Sequence, residues 1–227
     1  MPNTMNRRTR IKICGLTREE DVEAAVLAGV DAIGFVFYAK SSRCVSLARA
    51  VELMHCVPPF VTPVGLFVNA GKHEIEAASR AIPQLLLQFH GDETPRDCAD
   101  AGRPFLRAAR MVPGLDLLNY ATQYAGAQAL LVDADVEGYG GGGKVFDWSL
   151  VPSSMPLPIV LSGGLHAGNV IRGIHALQPW AVDVSTGVEV TKGVKDADAV
   201  RRFCEAVREA DARAVFGSAV LADTSVA

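Results

Sequence analysis

The sequence predicts an α/β protein built as a single-domain (β/α)8 barrel, the TIM-barrel architecture. Eight short apolar runs recur along the 227 residues, at 10–14, 31–37, 62–68, 84–89, 104–109, 128–132, 158–161 and 180–184. They are almost continuous in Val, Ile, Leu and Phe, the pattern of parallel strands covered on both faces. Helical or irregular connectors separate them, and no linker or shift in composition divides the chain. A doubly wound sheet gives the same alternation, so periodicity by itself leaves that fold open. For a barrel the chain is short, which requires mostly minimal loops.

The first strand, Arg10-Ile11-Lys12-Ile13-Cys14, runs into Gly15, and Thr17 and Glu20 then have capping-box spacing. Val22, Ala25, Val26 and Gly29 follow at helical intervals. Leu47, Ala50, Val51 and Met54 mark a second helix, and Ile75, Ala78 and Ile82 a third. Weaker helical patterns fall at 94–101, 115–125 and 167–176, and Ala199, Val200, Phe203, Cys204 and Val207 define a clear last helix. The stretch after the sixth strand is rich in glycine, which predicts a short helix there. In this reading residues 1–9 form a flexible leader, 10–209 the barrel, and 210–227 a helical extension or tail.

Composition narrows the function. Apolar residues make up 49% and charged residues 21%, and the net charge is -3. A nucleic acid or an anionic membrane needs a basic face, so neither is an expected partner. The only basic cluster, Arg7, Arg8 and Arg10, sits at the N-terminal end, where the leader meets the first strand. The five cysteines are odd in number and form no CxxC pair, against a secreted disulfide framework. No apolar run nears the roughly 18 residues of a membrane span, and the polar leader lacks the apolar core of a signal peptide. The expected location is the cytoplasm.

Several places could carry chemistry. Cys14 ends the first strand before a glycine turn, and Lys12 shares its strand face. Most free cysteines simply pack, but an ammonium beside this one would favour thiolate. Asp133 ends the sixth strand in the same manner, so a thiol and a carboxylate on two strand tips offer a base and an acid. Leu161-Ser162-Gly163-Gly164-Leu165 and Val182-Asp183-Val184-Ser185-Thr186-Gly187-Val188 follow the seventh and eighth strands, where barrels commonly bind phosphate. Their glycines let backbone N–H groups approach an anion, although any one such loop can be only a tight turn. His90 ends the fourth strand, and Arg43, on the loop after the second, could clamp a carboxylate with its two-pronged guanidinium. Gly138, Gly140 and Gly143 satisfy GxGxxG, and with Lys144 nearly a Walker A loop. The run begins five residues after Asp133, and Val145 replaces the Ser/Thr that holds magnesium, so a loop closing over a ligand is the better reading. No histidine grouping has metal-ligand spacing, so no metal is expected.

Taken in order, these segments resemble phosphoribosylanthranilate isomerase of tryptophan biosynthesis. The resemblance rests on Lys12 to Thr17, Asp31 to Phe37 with Lys40 to Val45, and Val64 to Asn69. It continues through Phe89 to Glu93, Val132-Asp133, Gly140 to Trp148, Leu161 to Leu165 and Val182 to Glu189. It covers about 10–209. The chain departs from the family pattern at Gly142 and Val145, where hydroxyl residues are usual, and at Ser42, Cys44 and Phe89.

The resemblance implies a barrel that performs an Amadori rearrangement on a small phosphorylated substrate. N-(5-phosphoribosyl)anthranilate would become 1-(2-carboxyphenylamino)-1-deoxyribulose 5-phosphate. It makes Asp133 the general acid, Cys14 the general base and Arg43 the partner of the anthranilate carboxylate, with His90 and Asp183 lining the site. Gly142, Gly143, Gly163, Gly164, Ser185 and Gly187 would surround the phosphate. No cofactor is implied, because the reaction is an internal redox isomerisation, and the protein is expected to be a monomer or a homodimer. The related isomerase of histidine biosynthesis is the nearest enzyme alternative, but it normally carries aspartate where Cys14 stands. A catalytically silent phosphate-binding barrel is the alternative from another class.

Overall fold

The structure, a computed structural model, describes residues 8–134 and 145–223, with side chains as far as 213. Eight parallel strands close into a barrel in chain order: β1 (Arg10–Cys14), β2 (Ala32–Val36), β3 (Thr62–Phe67), β4 (Leu86–Phe89), β5 (Phe105–Met111), β6 (Ala129–Ala134), β7 (Ile159–Leu161) and β8 (Ala181–Val184). The pairing of β8 with β1, with Lys12 opposite Asp183, removes both sheet edges and rules out the doubly wound alternative. Around the barrel run α1 (Glu19–Leu27), α2 (Leu47–Leu53), α3 (Lys72–Ala81), α4 (Pro95–Asp100), α5 (Leu117–Gln123), α6 (Val170–Leu177) and α7 (Ala197–Asp223). Among the described residues, the connection after β6 carries only the 3-10 turn Trp148–Leu150. No described helix is long and apolar enough to cross a membrane.

Strand alternation sorts the side chains into two cores. One face points at the helices, where Phe35, Phe67, Phe89 and Phe203 are fully buried. Each such side chain contributes about 1.5–3 kcal/mol by leaving water. The other face fills the barrel with Val64, Leu106, Ala108, Ala129, Leu131, Val160 and Ala181. At the foot of the barrel the Arg10 guanidinium stacks 3.6 Å over Trp180. Stepping two residues along each strand from this apolar filling leads to Ser162, Asp133 and Asp183 at the C-terminal mouth. The interior is therefore closed below and chemically equipped above.

Some local expectations change. Thr17 and Glu20 form no capping box: Arg18 occupies the cap position without a side-chain bond, and Thr17 Oγ1 instead donates to Gly193 O at 2.6 Å. Gly29 lies beyond α1, in left-handed backbone that ends the helix. Thr9, assigned to the leader, is held by Asp211, which accepts from its N–H and its hydroxyl at 2.8 and 2.7 Å.

Candidate active site

The mouth is built from strand tips and the loops that follow them. Cys14 ends β1 and is 5% exposed. Lys12, one step below on the same face, donates from Nζ to Asp183 Oδ1 at 2.7 Å, and both are buried. Ser162 Oγ donates to the other Asp183 oxygen at 3.2 Å. The missing side chain of Gly34 leaves room for this group, since a Cβ there would lie 2.8 Å from Cys14 Sγ and 3.2 Å from Lys12 Nζ.

Burial pushes the Cys14 thiol up; Lys12 works against this and Asp183 reinforces it. The net direction is upward. Lys12 thus pulls the thiol in the direction expected from their shared face, and desolvation outweighs this one ammonium, already paired with Asp183. Lys12 is raised in turn: burial alone would lower it, but Asp183 and Cys14 favour the charged form.

Across the mouth, with β7 and β8 between, Asp133 ends the β6 lumen face. Ala134 N donates to its Oδ1 at 2.9 Å, and His90 Nε2 lies 3.2 Å from Oδ2. Gln88 Nε2 lies 3.1 Å from His90 Nδ1, and Gln88 Oε1 has no partner among the described residues. As drawn, Gln88 donates to Nδ1, so a neutral His90 donates from Nε2 to a carboxylate. In the other His90 tautomer, with the Gln88 amide rotated so that its Oε1 accepts from Nδ1–H, His90 Nε2 becomes the acceptor. That second arrangement suits a protonated Asp133, so the tautomer change and the amide rotation together serve both states of a carboxyl acid. The loop carrying His90 is held by Arg107, which donates to Phe89 O, Gly91 O and Glu93 Oε2 at 3.1, 2.9 and 2.8 Å.

The two glycine loops meet after β7 and β8. Gly163 and Gly164 both have positive φ, and their N–H groups donate to nothing among the described residues. Two adjacent N–H groups left without an acceptor can serve the oxygens of an anion. A Cβ on Gly163 would sit 2.6 Å from Ala134 N, and one on Gly187 only 1.9 Å from Leu165 O. Glycine at 187 thus lets the β8 loop lie on the β7 loop, with Ser185 beside it. Gly187→Ala is expected to cost about 1–3 kcal/mol of stability, seen as a lower Tm in thermal unfolding. An unchanged Tm would show that the loops part without cost. Gly142 and Gly143, with the whole run Gly138 to Lys144, lie outside the described residues.

Arg43 reaches the mouth from the loop after β2, but its two-pronged edge is already engaged. Nε and Nη2 donate to Glu189 Oε1 and Oε2, both at 2.7 Å. Lys195 Nζ donates to Glu189 Oε1 at 2.8 Å and also lies 3.2 Å from Ser185 O. Burial alone would raise Glu189, yet Arg43 and Lys195 hold it below the usual carboxylate range. Burial lowers Lys195, and Glu189 opposes this only in part. The sequence reading assigned no role to Gln88, Ser162, Glu189 or Lys195. Period-two counting from His90 and Val160 would have found the first two. Only the folded chain brings Glu189 to Arg43.

Comparison with known proteins gives the family. The family model described as N-(5'-phosphoribosyl)anthranilate (PRA) isomerase matches residues 11–206. The chain belongs to the phosphoribosylanthranilate isomerase family. The isomerase of Methylibium petroleiphilum is 73% identical over 206 residues, spanning 91% of this chain and 97% of that protein. A crystal structure of the Thermotoga maritima isomerase is 37% identical with a TM-score of 0.81, over 88% of this chain and 99% of that one. A further isomerase, crystallised with reduced 1-(o-carboxyphenylamino)-1-deoxyribulose 5-phosphate, is 35% identical with a TM-score of 0.78, over 88% and 99%.

Proposed function

We propose that this chain carries out its family's reaction in tryptophan biosynthesis with Asp133 as general acid and Cys14 as general base. The observation that carries this assignment is a thiol and a carboxylate on opposite strand tips of one barrel mouth, beside two adjoining glycine loops. N-(5-phosphoribosyl)anthranilate binds with its phosphate against Gly163, Gly164, Ser185 and Gly187, a set to which the family resemblance adds Gly142 and Gly143, outside the described residues. Its carboxylate meets Arg43, while Asp183 and His90 face the ribose.

Asp133 gives its proton to the ribose ring oxygen. The bond from that oxygen to C1' breaks, and the anilino nitrogen lone pair forms an iminium. Cys14, as thiolate, then takes the C2' proton. The C2'–H electrons form a C1'–C2' double bond and neutralise the iminium, giving the enol form, which tautomerises to 1-(2-carboxyphenylamino)-1-deoxyribulose 5-phosphate. C1' is reduced as C2' is oxidised, so the step balances internally.

The direct test uses the fluorescence of freshly made phosphoribosylanthranilate, whose decay should accelerate with the purified protein. No acceleration under conditions where a reference isomerase works would overturn the assignment.

A free thiol as base calls for a reducing compartment. All five cysteines are free, which supports the cytoplasm as the location. We also propose a homodimer. One structure of the Thermotoga maritima relative is of monomers generated from a dimeric isomerase. In this chain Phe60 is fully exposed in left-handed backbone, an apolar ring suited to burial by a second copy. Sedimentation should give a dimer that Phe60→Asp converts to monomer, and a wild-type monomer at micromolar concentration would overturn this.

A further inference from the structure

Glu189 follows the turn Thr186–Val188 of the phosphate loop and opens the hairpin of β9 (Glu189–Thr191) and β10 (Val194–Lys195). Two cations share its carboxylate: Arg43 through Nε and Nη2, and Lys195 through Nζ. The side chains of Arg43, Glu189 and Lys195 are 9%, 3% and 0% exposed, so this is no mobile surface counter-ion. The group touches the phosphate loop directly. Lys195 Nζ lies 3.3 Å from Ser185 Oγ, and Arg43 Nη2 lies 3.3 Å from Thr186 Oγ1.

A guanidinium is planar and presents its N–H groups in fixed directions. Glu189 takes the Nε/Nη2 edge, and Nη1 makes no hydrogen bond among the described residues. The aliphatic stem of Arg43 lies on Gly15, where a Cβ would come within 2.5 Å of Cδ, immediately after Cys14. The ring of contacts therefore fixes both the place of the stem and the rotation of the plane. Lys195 keeps Glu189 in place, because a buried carboxylate between two cations does not leave one of them cheaply.

We propose that Glu189, anchored by Lys195, is a positioning residue that turns Arg43 so that its Nη1 edge meets the substrate carboxylate beside Cys14. This rests on the assignment of Arg43 to that carboxylate. The three side chains carry a net charge of +1, which suits a substrate anionic at both ends. Lys195 at Ser185 and Arg43 at Thr186 join the same group to the phosphate loop. Arg43 thus offers the substrate one terminal nitrogen rather than its two-pronged edge, and selection depends on how well that nitrogen is aimed.

The test compares kcat/KM for phosphoribosylanthranilate with that for N-(5-phosphoribosyl)aniline, which lacks the carboxylate. Taking the ratio on one preparation cancels any unfolded fraction. Arg43→Met should lower this preference about tenfold or more. Glu189→Gln should lower it to a similar extent, and should add nothing further in the Arg43→Met background. If Arg43→Met leaves the preference intact, the carboxylate assignment itself fails. If Arg43→Met lowers the preference while Glu189→Gln leaves it intact or raises it, the assignment survives and the positioning role is wrong. Should Glu189→Gln not fold, Glu189→Asp makes the same comparison, because it retracts the carboxylate and keeps the charge.

Discussion

Asp133→Asn should lower kcat at least ~100-fold, the range for loss of one proton transfer. The substitution is nearly isosteric, so the bond from Ala134 N to Oδ1 can persist. What it removes is the proton to be delivered. Without that proton the ribose oxygen leaves as an alkoxide, and ring opening becomes limiting. Binding should survive, because the groups assigned to phosphate and carboxylate are elsewhere. Reduced 1-(o-carboxyphenylamino)-1-deoxyribulose 5-phosphate, the ligand bound in a relative, should titrate the variant with nearly wild-type affinity. Near-normal turnover would remove Asp133 from its role, and lost affinity with lost turnover would make it a binding residue instead. The His90–Gln88 pair supports the role: His90 can donate to the carboxylate or, in its other tautomer with the Gln88 amide turned, accept from the acid.

The barrel was legible because parallel strands covered on both faces must be apolar nearly throughout. The first run coincides with β1, and the seventh and eighth lie within one or two residues of β7 and β8. Helix starts were less legible. Thr17 has the right spacing for a cap, but its hydroxyl is claimed by Gly193, 176 residues away. The site divides along the same line. Cys14, His90, Asp133 and Asp183 could be found because strand tips in a barrel all face one mouth. Arg43 could be found, but its partner could not, since 146 residues separate it from Glu189. Residues whose role follows from alternation can be read locally, and those whose role follows from loop packing cannot. The ionisation of Cys14 belongs with the second kind, because it depends on how much water the finished mouth excludes.

Cys14→Ala should also lower kcat at least ~100-fold, and pH separates a base from a packing residue. A base must be deprotonated to act, and burial pushes this thiol above its ordinary value, with Lys12 only partly opposing. Below that value the thiolate fraction grows tenfold per pH unit, so kcat/KM, which reports the free enzyme, should climb through neutral pH. Iodoacetamide alkylation should climb in parallel, followed at Cys14 by peptide mass spectrometry because Cys44 is exposed and reacts as well. The bound product analogue should protect Cys14 and spare Cys44. A rate already on its plateau at pH 7 would mean that the thiol is depressed, and that Lys12 outweighs burial after all. Full turnover by Cys14→Ala would mean that another group takes the C2' proton. If both profiles rise together, the ligand-free enzyme holds its base mostly as thiol. The thiol then gives its proton to solvent water before it acts, and the iminium charge formed beside Sγ stabilises the thiolate that remains.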